Sequence, residues 1–193
     1  MRTILILILL VFGVGFCSQS ADQMRDGARS TTSVARDTYT PPPPAKETWK
    51  TSISTSEMDD SETVGLTLQS NNFVRASLGG YAPAVLTVRC FENTTAVLFS
   101  FADLFMADVS GYGRITYRID KDPARTQNFT ESTDNSVLGL WSGGASIPFI
   151  KRMFGGEEMI VRATPYNETP VEAVFRIVNL ETAIEPLRKA CHW

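Results

Sequence analysis

The feature that most restricts the fold of this chain is the alternation of apolar and polar residues over positions 113–123, GRITYRIDKDP. Ile115, Tyr117 and Ile119 fall on one face of an extended chain, and arginines, a threonine and an aspartate fall on the other. A period of two is typical of a β-strand with one buried and one solvated face. Such a strand needs a hydrophobic core beneath it, so the rest of the chain must supply more strands.

Other segments repeat the pattern and predict those strands. A first strand is predicted with Trp49 and Ile53 as its anchors, and further strands are predicted over residues 63–69, 85–90, 96–105, 137–141, 158–164 and 171–178. Glycine, proline and polar residues separate them and predict turns, with longer loops over 71–83 and 122–135. We therefore expect a mainly β fold, β-sandwich-like, built from antiparallel strands.

Two helices complete the predicted fold as a minor α component. The first is a short internal helix over residues 147–154, with Ser146 as its N-cap. The second is a C-terminal helix over residues 180–191, with Asn179 as its cap. Pro186 lies inside this second helix, where proline either bends a helix or starts a new first turn.

The amino terminus has the pattern of an export signal. Residues 1–20 combine Met1-Arg2, an apolar run and small polar residues, which is typical of a secretory signal peptide. The apolar run is shorter than the roughly 20 residues that cross a bilayer, so no stable transmembrane span is expected. An alternative is a lipid anchor on Cys17, although Phe16 stands where lipidation favours a small residue. The expected location is exported and periplasmic, with lipid anchoring in the envelope as the alternative.

Residues 21–47 predict a disordered tether. They are rich in Ser, Thr, Asp and Arg and end in four consecutive prolines, Pro41 to Pro44. Such a composition lacks the apolar residues of a core and favours extended polyproline II structure. A single β-rich domain over residues 48–193 is expected to follow the tether.

The cysteine count predicts one disulfide bond. Of the 3 cysteines, Cys17 lies in the leader, and the other two are Cys90 and Cys191. Cys90 shares the inward face of its predicted strand, and Cys191 falls on the apolar side of the last helix. Because exported proteins meet an oxidising environment, we expect Cys90 and Cys191 to pair and to join the final helix to a core strand.

Composition and motifs argue against several functions. The net charge of -3 provides no basic excess for a nucleic acid backbone. The only histidine is His192, and no nucleophile stands at a motif spacing from it, so the expectation is a protein that is not an enzyme. Asp103 with Asp108 is one carboxylate pair without a distinctive spacing, and Glu157 with Glu158 is another. Neither a cofactor nor a metal site is expected, and the Asp59-Asp60 pair is interpreted as an acidic turn.

One set of charged residues has possible binding chemistry. Arg89, Arg118, Arg162 and Arg176 each lie one residue from an apolar core position, with Asp120 and Glu172 nearby. If their strands share a sheet and a face, they form an arginine row that can bind carboxylates or phosphates. The other interpretation is a set of cross-strand charge pairs on a solvated surface.

Short motifs along the domain resemble a known family. They are Met58-Asp59-Asp60-Ser61 followed by Thr63-Val64, then Val88-Arg89-Cys90, Tyr117-Arg118-Ile119-Asp120, Ser132-Thr133-Asp134-Asn135, Ile147-Pro148-Phe149-Ile150-Lys151 and the tail from Val161 to Trp193. Their order over residues 49–193 resembles the type VI secretion-associated VasI/TagO family. The resemblance implies an exported accessory protein of the bacterial envelope, with envelope or secretion-apparatus proteins as partners. The alternative is a stand-alone ligand-binding or inhibitor module that holds an anionic envelope component through the arginine row.

Overall fold

The computed structural model describes residues 49–58 and 60–193. The predicted signal peptide, the possible lipid anchor at Cys17 and the predicted tether lie outside the described residues. Asp59 of the predicted acidic turn also lies outside them.

The described chain forms two antiparallel sheets and three short helices. The strands are β1 (Lys50–Thr55), β2 (Glu62–Arg75), β3 (Tyr81–Phe91), β4 (Thr94–Phe101), β5 (Arg114–Ile119), β6 (Arg125–Asn128), β7 (Thr130–Glu131), β8 (Val137–Leu140), β9 (Glu158–Ala163) and β10 (Val171–Arg176). The helices are α1 (Gly143–Met153), α2 (Leu180–Ala183) and α3 (Glu185–Ala190), and Val109–Gly111 forms one 3-10 turn. A six-stranded sheet has the order β1-β2-β3-β4-β8-β7, and a four-stranded sheet has the order β10-β9-β5-β6. The predicted mainly β fold with antiparallel strands is confirmed.

The core between the sheets is centred on Phe99 of β4. Its ring lies 5.7 Å from that of Phe129, 6.1 Å from that of Phe149 in α1 and 6.0 Å from that of Phe175 in β10. All four rings are almost fully buried. Because these side chains come from both sheets and a helix, one aromatic cluster holds the layers together.

The alternating segment at residues 113–123 forms β5, an interior strand of the four-stranded sheet. β5 pairs with β6 on one side and with β9 on the other. Ile115 and Tyr117 are buried, and Ile119 is half-buried against the core. The alternation of apolar and polar residues therefore corresponds to a strand with one face in the core and the other face on the protein surface.

The structure differs from the sequence-based prediction between residues 71 and 83, where a loop was expected. β2 continues to Arg75 and β3 starts at Tyr81, with an irregularity in the pairing between Gln69 and Phe73. The Ser70 hydroxyl accepts a hydrogen bond from the Ala84 N–H at 2.8 Å and donates to the Asn72 carbonyl at 2.6 Å. The buried Ser70 hydroxyl therefore replaces a main-chain hydrogen-bond partner at the irregularity, and β2 and β3 continue beyond it.

Other boundaries also shift. β4 ends at Phe101 because Ala102 and Asp103 adopt left-handed backbone conformations, and the predicted strand over 96–105 is too long. The excursion over 122–135 contains β6 and β7, which pair with β5 and β8. Of the two predicted anchors of the first strand, Trp49 packs against the core, and Ile53 does not, since it is 58% exposed.

Both predicted helices differ from the prediction: the internal helix begins earlier, and the C-terminal helix is divided in two. α1 starts after Ser142, one turn before the predicted start, and Ser146 donates its hydroxyl proton to the Leu140 carbonyl at 2.7 Å. The C-terminal helix divides at Ile184, and Pro186 lies in the first turn of α3, where its missing N–H costs no hydrogen bond. Asn179 precedes α2 without making a side-chain cap. Among the described helices, none is both long and apolar enough to cross a membrane.

The predicted disulfide is present. Cys90 of β3 and Cys191, directly after α3, are bonded, and their Cα atoms are 5.8 Å apart. Cys90 is fully buried and Cys191 nearly so. The bond fastens the final helix over the six-stranded sheet, as the sequence predicted.

Candidate binding surfaces

Two of the predicted arginines line one depression on the outer face of the four-stranded sheet. Arg118 of β5 and Arg162 of β9 border a depression of about 320 Å³ together with Thr116, Tyr117, Ala124, Ile160 and Glu172. The register pairs Arg118 with Ile160 and Thr116 with Arg162, so the two arginines are diagonal neighbours. The alternation of β5 and β9 brings them to the same face.

The two arginines differ in their partners. The Arg162 Nε–H donates to Glu172 Oε1 at 2.7 Å, and both side chains are more than half exposed. Such exposed pairs contribute little to stability. Arg118 is exposed, and its guanidinium has no ion-pair or hydrogen-bond partner among residues 49–58 and 60–193. Its cationic group is therefore available to an anion.

The four arginines do not form one row. Arg89 lies in β3 of the six-stranded sheet, away from the other three. Arg176 of β10 lies opposite Glu158 of β9. Arg118 of β5 lies opposite Ile160, which is two residues further along β9. Carboxylates therefore alternate with arginines on the outer face, and only Arg118 and Arg162 share a depression. The predicted arginine row does not form, because Arg89 in β3 and Arg118 in β5 belong to different sheets.

Asp120 has a structural position. It follows β5 in a left-handed conformation, and its carboxylate accepts hydrogen bonds from the N–H groups of Glu157 and Glu158 at 2.9–3.2 Å. These bonds fix the start of β9 beside the end of β5. Asp120 therefore shapes one end of the sheet and makes no pair with Arg118. Glu157 and Glu158 take part here through main-chain groups: both N–H groups donate to the Asp120 carboxylate, and the Glu158 carbonyl accepts from the Asp120 N–H at 2.9 Å.

Arg89 is part of a cation and aromatic layer on the outer face of the six-stranded sheet. Its guanidinium lies 5.8 Å from the centre of the Phe91 ring and 5.6 Å from that of Trp141. The Trp141 Nε1–H donates to the Thr130 carbonyl at 3.0 Å, and the ring lies directly on Gly139. This layer covers β4 and β8 and borders a shallow depression of about 480 Å³ that Glu131 and Asp134 also line. Sequence reasoning missed Trp141 because its partners come from three other strands.

Two carboxylates that the sequence did not single out as a pair lie together near this layer. The Glu131 side chain raises the pKa of Asp108, first by hydrogen bonding to its protonated form. One Glu131 carboxylate oxygen is buried without a hydrogen-bond partner among the described residues. Nearby, the hydroxyls of Ser132 and Ser136 donate to Asp134 and lower the pKa of its carboxyl to about 2. Asp103, which the sequence analysis named with Asp108 as a carboxylate pair without a distinctive spacing, is exposed in the same loop.

The region around His192 is charged, and it includes the ion pair between Arg188 and Glu185 at 3.1 Å. His192 is exposed and borders a broad, open surface formed with Arg188, Lys189 and Trp193. The Arg188 guanidinium lies 5.3 Å from the centre of the Trp193 ring, and the Trp193 Nε1–H donates to Thr95 Oγ1 at 2.8 Å. Within the described part of the chain, no three His, Cys, Asp or Glu side chains are grouped as metal ligands.

These features define a disulfide-bonded, β-sandwich-like domain with charged and aromatic outer faces. Residues 26–193 match the family model described as "Type VI secretion system VasI, EvfG, VC_A0118". The chain therefore belongs to this type VI secretion-associated family, as the motifs of the sequence indicated, and the match begins within the segment that was assigned to the tether.

Among solved structures, the crystal structure of invasion associated protein B from Bartonella henselae matches with a TM-score of 0.47 and 10% sequence identity, over 75% of this chain and 94% of that chain. No curated protein sequence matches the chain.

Proposed function

We propose that this protein is an exported, envelope-side accessory protein of a type VI secretion apparatus, and that it acts by binding another protein. The observation that carries the proposal is the family match over residues 26–193. The Cys90–Cys191 bond supports the envelope location, because stable disulfides form in oxidising compartments such as the bacterial periplasm. The signal-like residues 1–20 support it independently.

The role proposed here is binding and not catalysis. His192 is exposed on an open surface, and the interacting carboxyls of Asp108 and Glu131 border two different shallow surface depressions. Catalytic acids and bases usually converge in a cleft that excludes water. The charged and aromatic outer faces of the two sheets fit a protein that presents surfaces to partners.

The proposal is tested in the bacterium that carries the gene. Deletion of the gene is expected to reduce release of the apparatus's secreted proteins into the medium, and the wild-type gene supplied on a plasmid is expected to restore it. A fusion of residues 1–193 to alkaline phosphatase, an enzyme that needs disulfides, is expected to be active, and the same fusion without residues 1–20 inactive. Normal secretion in the deletion strain would refute the secretion role, and phosphatase activity without the leader would refute the export signal.

A second candidate function rests on Arg118. Its unpartnered guanidinium beside Arg162 in one depression favours binding of a phosphate or carboxylate group of an envelope component. Inorganic pyrophosphate and phosphatidylglycerol vesicles are suitable probes in titration calorimetry and sedimentation. Arg118→Gln with Arg162→Gln is expected to abolish binding, while Arg125→Gln, an exposed arginine outside this depression, is expected to preserve it. No binding by the wild-type protein, or equal binding by all variants, would exclude the site.

A further inference from the structure

Exposed apolar side chains concentrate at one end of the sandwich. Eight large hydrophobic side chains of the described residues are exposed. Five of them lie in or directly beside three loops, the β2–β3 turn (76–80), the β4–β5 connection (102–113) and the β9–β10 turn (164–170): Leu78, Tyr81, Phe105, Val109 and Tyr166. An exposed apolar cluster on a folded domain marks an interaction site.

Hydrogen bonds and ring contacts bring the three loops together. The Ser77 N–H donates to the Ala102 carbonyl at 3.2 Å, and the Tyr166 N–H donates to the Phe105 carbonyl at 3.0 Å. The Tyr166 ring centre lies 6.1 Å from that of Phe105 and 5.3 Å from that of Tyr112. We call the surface formed by Leu78, Phe105, Val109, Tyr112 and Tyr166 the apolar tip.

The β4–β5 connection holds the apolar tip in place before any partner binds. Leu104 and Met106 are buried on either side of Phe105, which is 54% exposed. The Met106 N–H donates to the Asn135 carbonyl at 2.8 Å, and the Asn135 side-chain amide donates back to the Met106 carbonyl at 2.9 Å. Because the exposed ring is carried by an anchored backbone, binding costs less conformational entropy than it would on a free loop.

The three loops that carry the apolar tip contain acidic charges alone, and the exposed Arg75 and Arg114 lie at their borders. The three loops contain Asp103, Asp108 and Glu168 and no lysine or arginine. Arg114, just beyond the β4–β5 connection, directs its Nε–H to the Gly111 carbonyl at 3.3 Å. An acidic rim repels anionic lipid headgroups and attracts lysine and arginine side chains.

We propose that the apolar tip docks a protein segment that presents an aromatic or large aliphatic side chain flanked by lysine or arginine. Aromatic side chains at the centre of a surface with charged residues at its edge are typical of protein interfaces. The inference rests on the proposed role as an interaction protein, and it specifies the surface used and the chemistry of the partner.

The test is a selection from a displayed random 12-residue peptide library on the purified protein with its disulfide formed. Peptides with an apolar residue and net positive charge are expected to be enriched. Binding of the synthesised peptides is expected to weaken at least tenfold in Phe105→Ser/Tyr166→Ser and severalfold in Asp103→Asn/Glu168→Gln. Ile53→Ser, which removes a side chain that is 58% exposed in β1, is the matched control and is expected to bind like wild type. Unfolding curves with and without reductant establish that each variant is folded.

Several outcomes would overturn the proposal. They are the absence of enriched peptides, enrichment of neutral or acidic peptides, and retention of affinity in Phe105→Ser/Tyr166→Ser. Sedimentation of the protein with phosphatidylglycerol vesicles that is lost in the same variant would assign the apolar tip to a membrane and also overturn it. Because these measurements use purified protein, they can fail while the deletion strain still shows a secretion defect, and the secretion role can fail while the peptides still bind.

Discussion

The side-chain carbonyl of Asn72 accepts a hydrogen bond from the main-chain N–H of Val174 at 2.8 Å. The Asn72 amide group also donates to the Glu172 carbonyl, at 2.8 Å. One side chain in the irregular part of β2 therefore takes the place of a strand along the edge of β10. It links the two sheets and satisfies main-chain groups that an open edge would leave to water or to another chain.

Replacing Asn72 with alanine is expected to destabilise the domain by about 1–3 kcal/mol, because two main-chain groups lose their partner at once. Urea unfolding measures the change as a lower midpoint at an unchanged slope. The neighbouring Asn71→Ala, at an exposed position, is the control and should stay close to wild type. Equal midpoints for the two variants would show that the edge contact is unimportant.

Loss of the disulfide is expected to cost about 2–5 kcal/mol, since the bond closes a loop of 101 residues in the unfolded chain. Cys90→Ser/Cys191→Ser should unfold at the same urea concentration with and without reductant. The wild-type protein should fall to that concentration only when reduced. A wild-type midpoint that does not respond to reductant would contradict the bond.

Gly139→Ala is expected to destabilise the six-stranded sheet, because the added methyl would lie 2.6 Å from the Trp141 ring and 2.8 Å from a Leu98 methyl. Overpacking of this kind typically costs about 1–3 kcal/mol. In Gly139→Ala/Trp141→Ala the two losses should be less than additive, since removal of the ring makes room. Gly144→Ala in the first turn of α1 meets no atom within 4 Å and should be neutral or stabilising by about 0.5–1 kcal/mol. Additive losses in the double variant would mean that ring and glycine do not interact.

Asp134 should make the domain less stable in acid. The Ser132 and Ser136 hydroxyls hold its pKa at about 2, below the ordinary value of 3.8. A carboxyl with a lower pKa in the folded state stabilises above the unfolded pKa and loses that effect as the pH falls toward about 2. The difference in unfolding free energy between wild type and Asp134→Asn is therefore expected above pH 4 and should shrink toward pH 2. A side-chain carboxyl NMR titration with a midpoint near 3.8 would refute the assignment.

Asp108 should behave in the opposite way. Glu131 raises its pKa, so the folded state binds a proton more readily than the unfolded state. Stability should then fall as the pH rises from 3.8 through the raised pKa, and Asp108→Asn should remove this loss. Glu168→Gln, at an exposed turn of the same end, serves as the comparison and should leave the pH profile unchanged. Identical profiles for wild type and Asp108→Asn would contradict the interaction.

The sequence predicted the parts of the fold that are coded locally. Alternation around Ile115 and Tyr117 identifies a strand because each side chain's burial depends on its own position along an extended chain. The Cys90–Cys191 bond was also predictable, since the inward face of a strand and the apolar face of a helix are both readable from spacing.

Properties that depend on which strands are neighbours were not predictable. β4 pairs with β8 and not with β5, so Arg89 and Arg118 lie in different sheets although their local patterns are alike. The continuation of β2 past Ser70 and Asn72 was missed because their side chains bond to main-chain groups up to 102 residues away. In the sequence, a run of polar residues such as Ser70, Asn71 and Asn72 predicts a loop.

The position of the two bonded cysteines also sets an order of events during synthesis. Cys90 emerges 101 residues before Cys191. At synthesis rates of about 5–20 residues per second, Cys90 spends roughly 5–20 s as a thiol without its mate. A mixed disulfide that Cys90 forms with an oxidising enzyme during that interval is resolved into the native bond when the Cys191 thiolate attacks it and releases the enzyme's thiol. The bond that holds the final helix on the six-stranded sheet can therefore form only after the synthesis of Cys191.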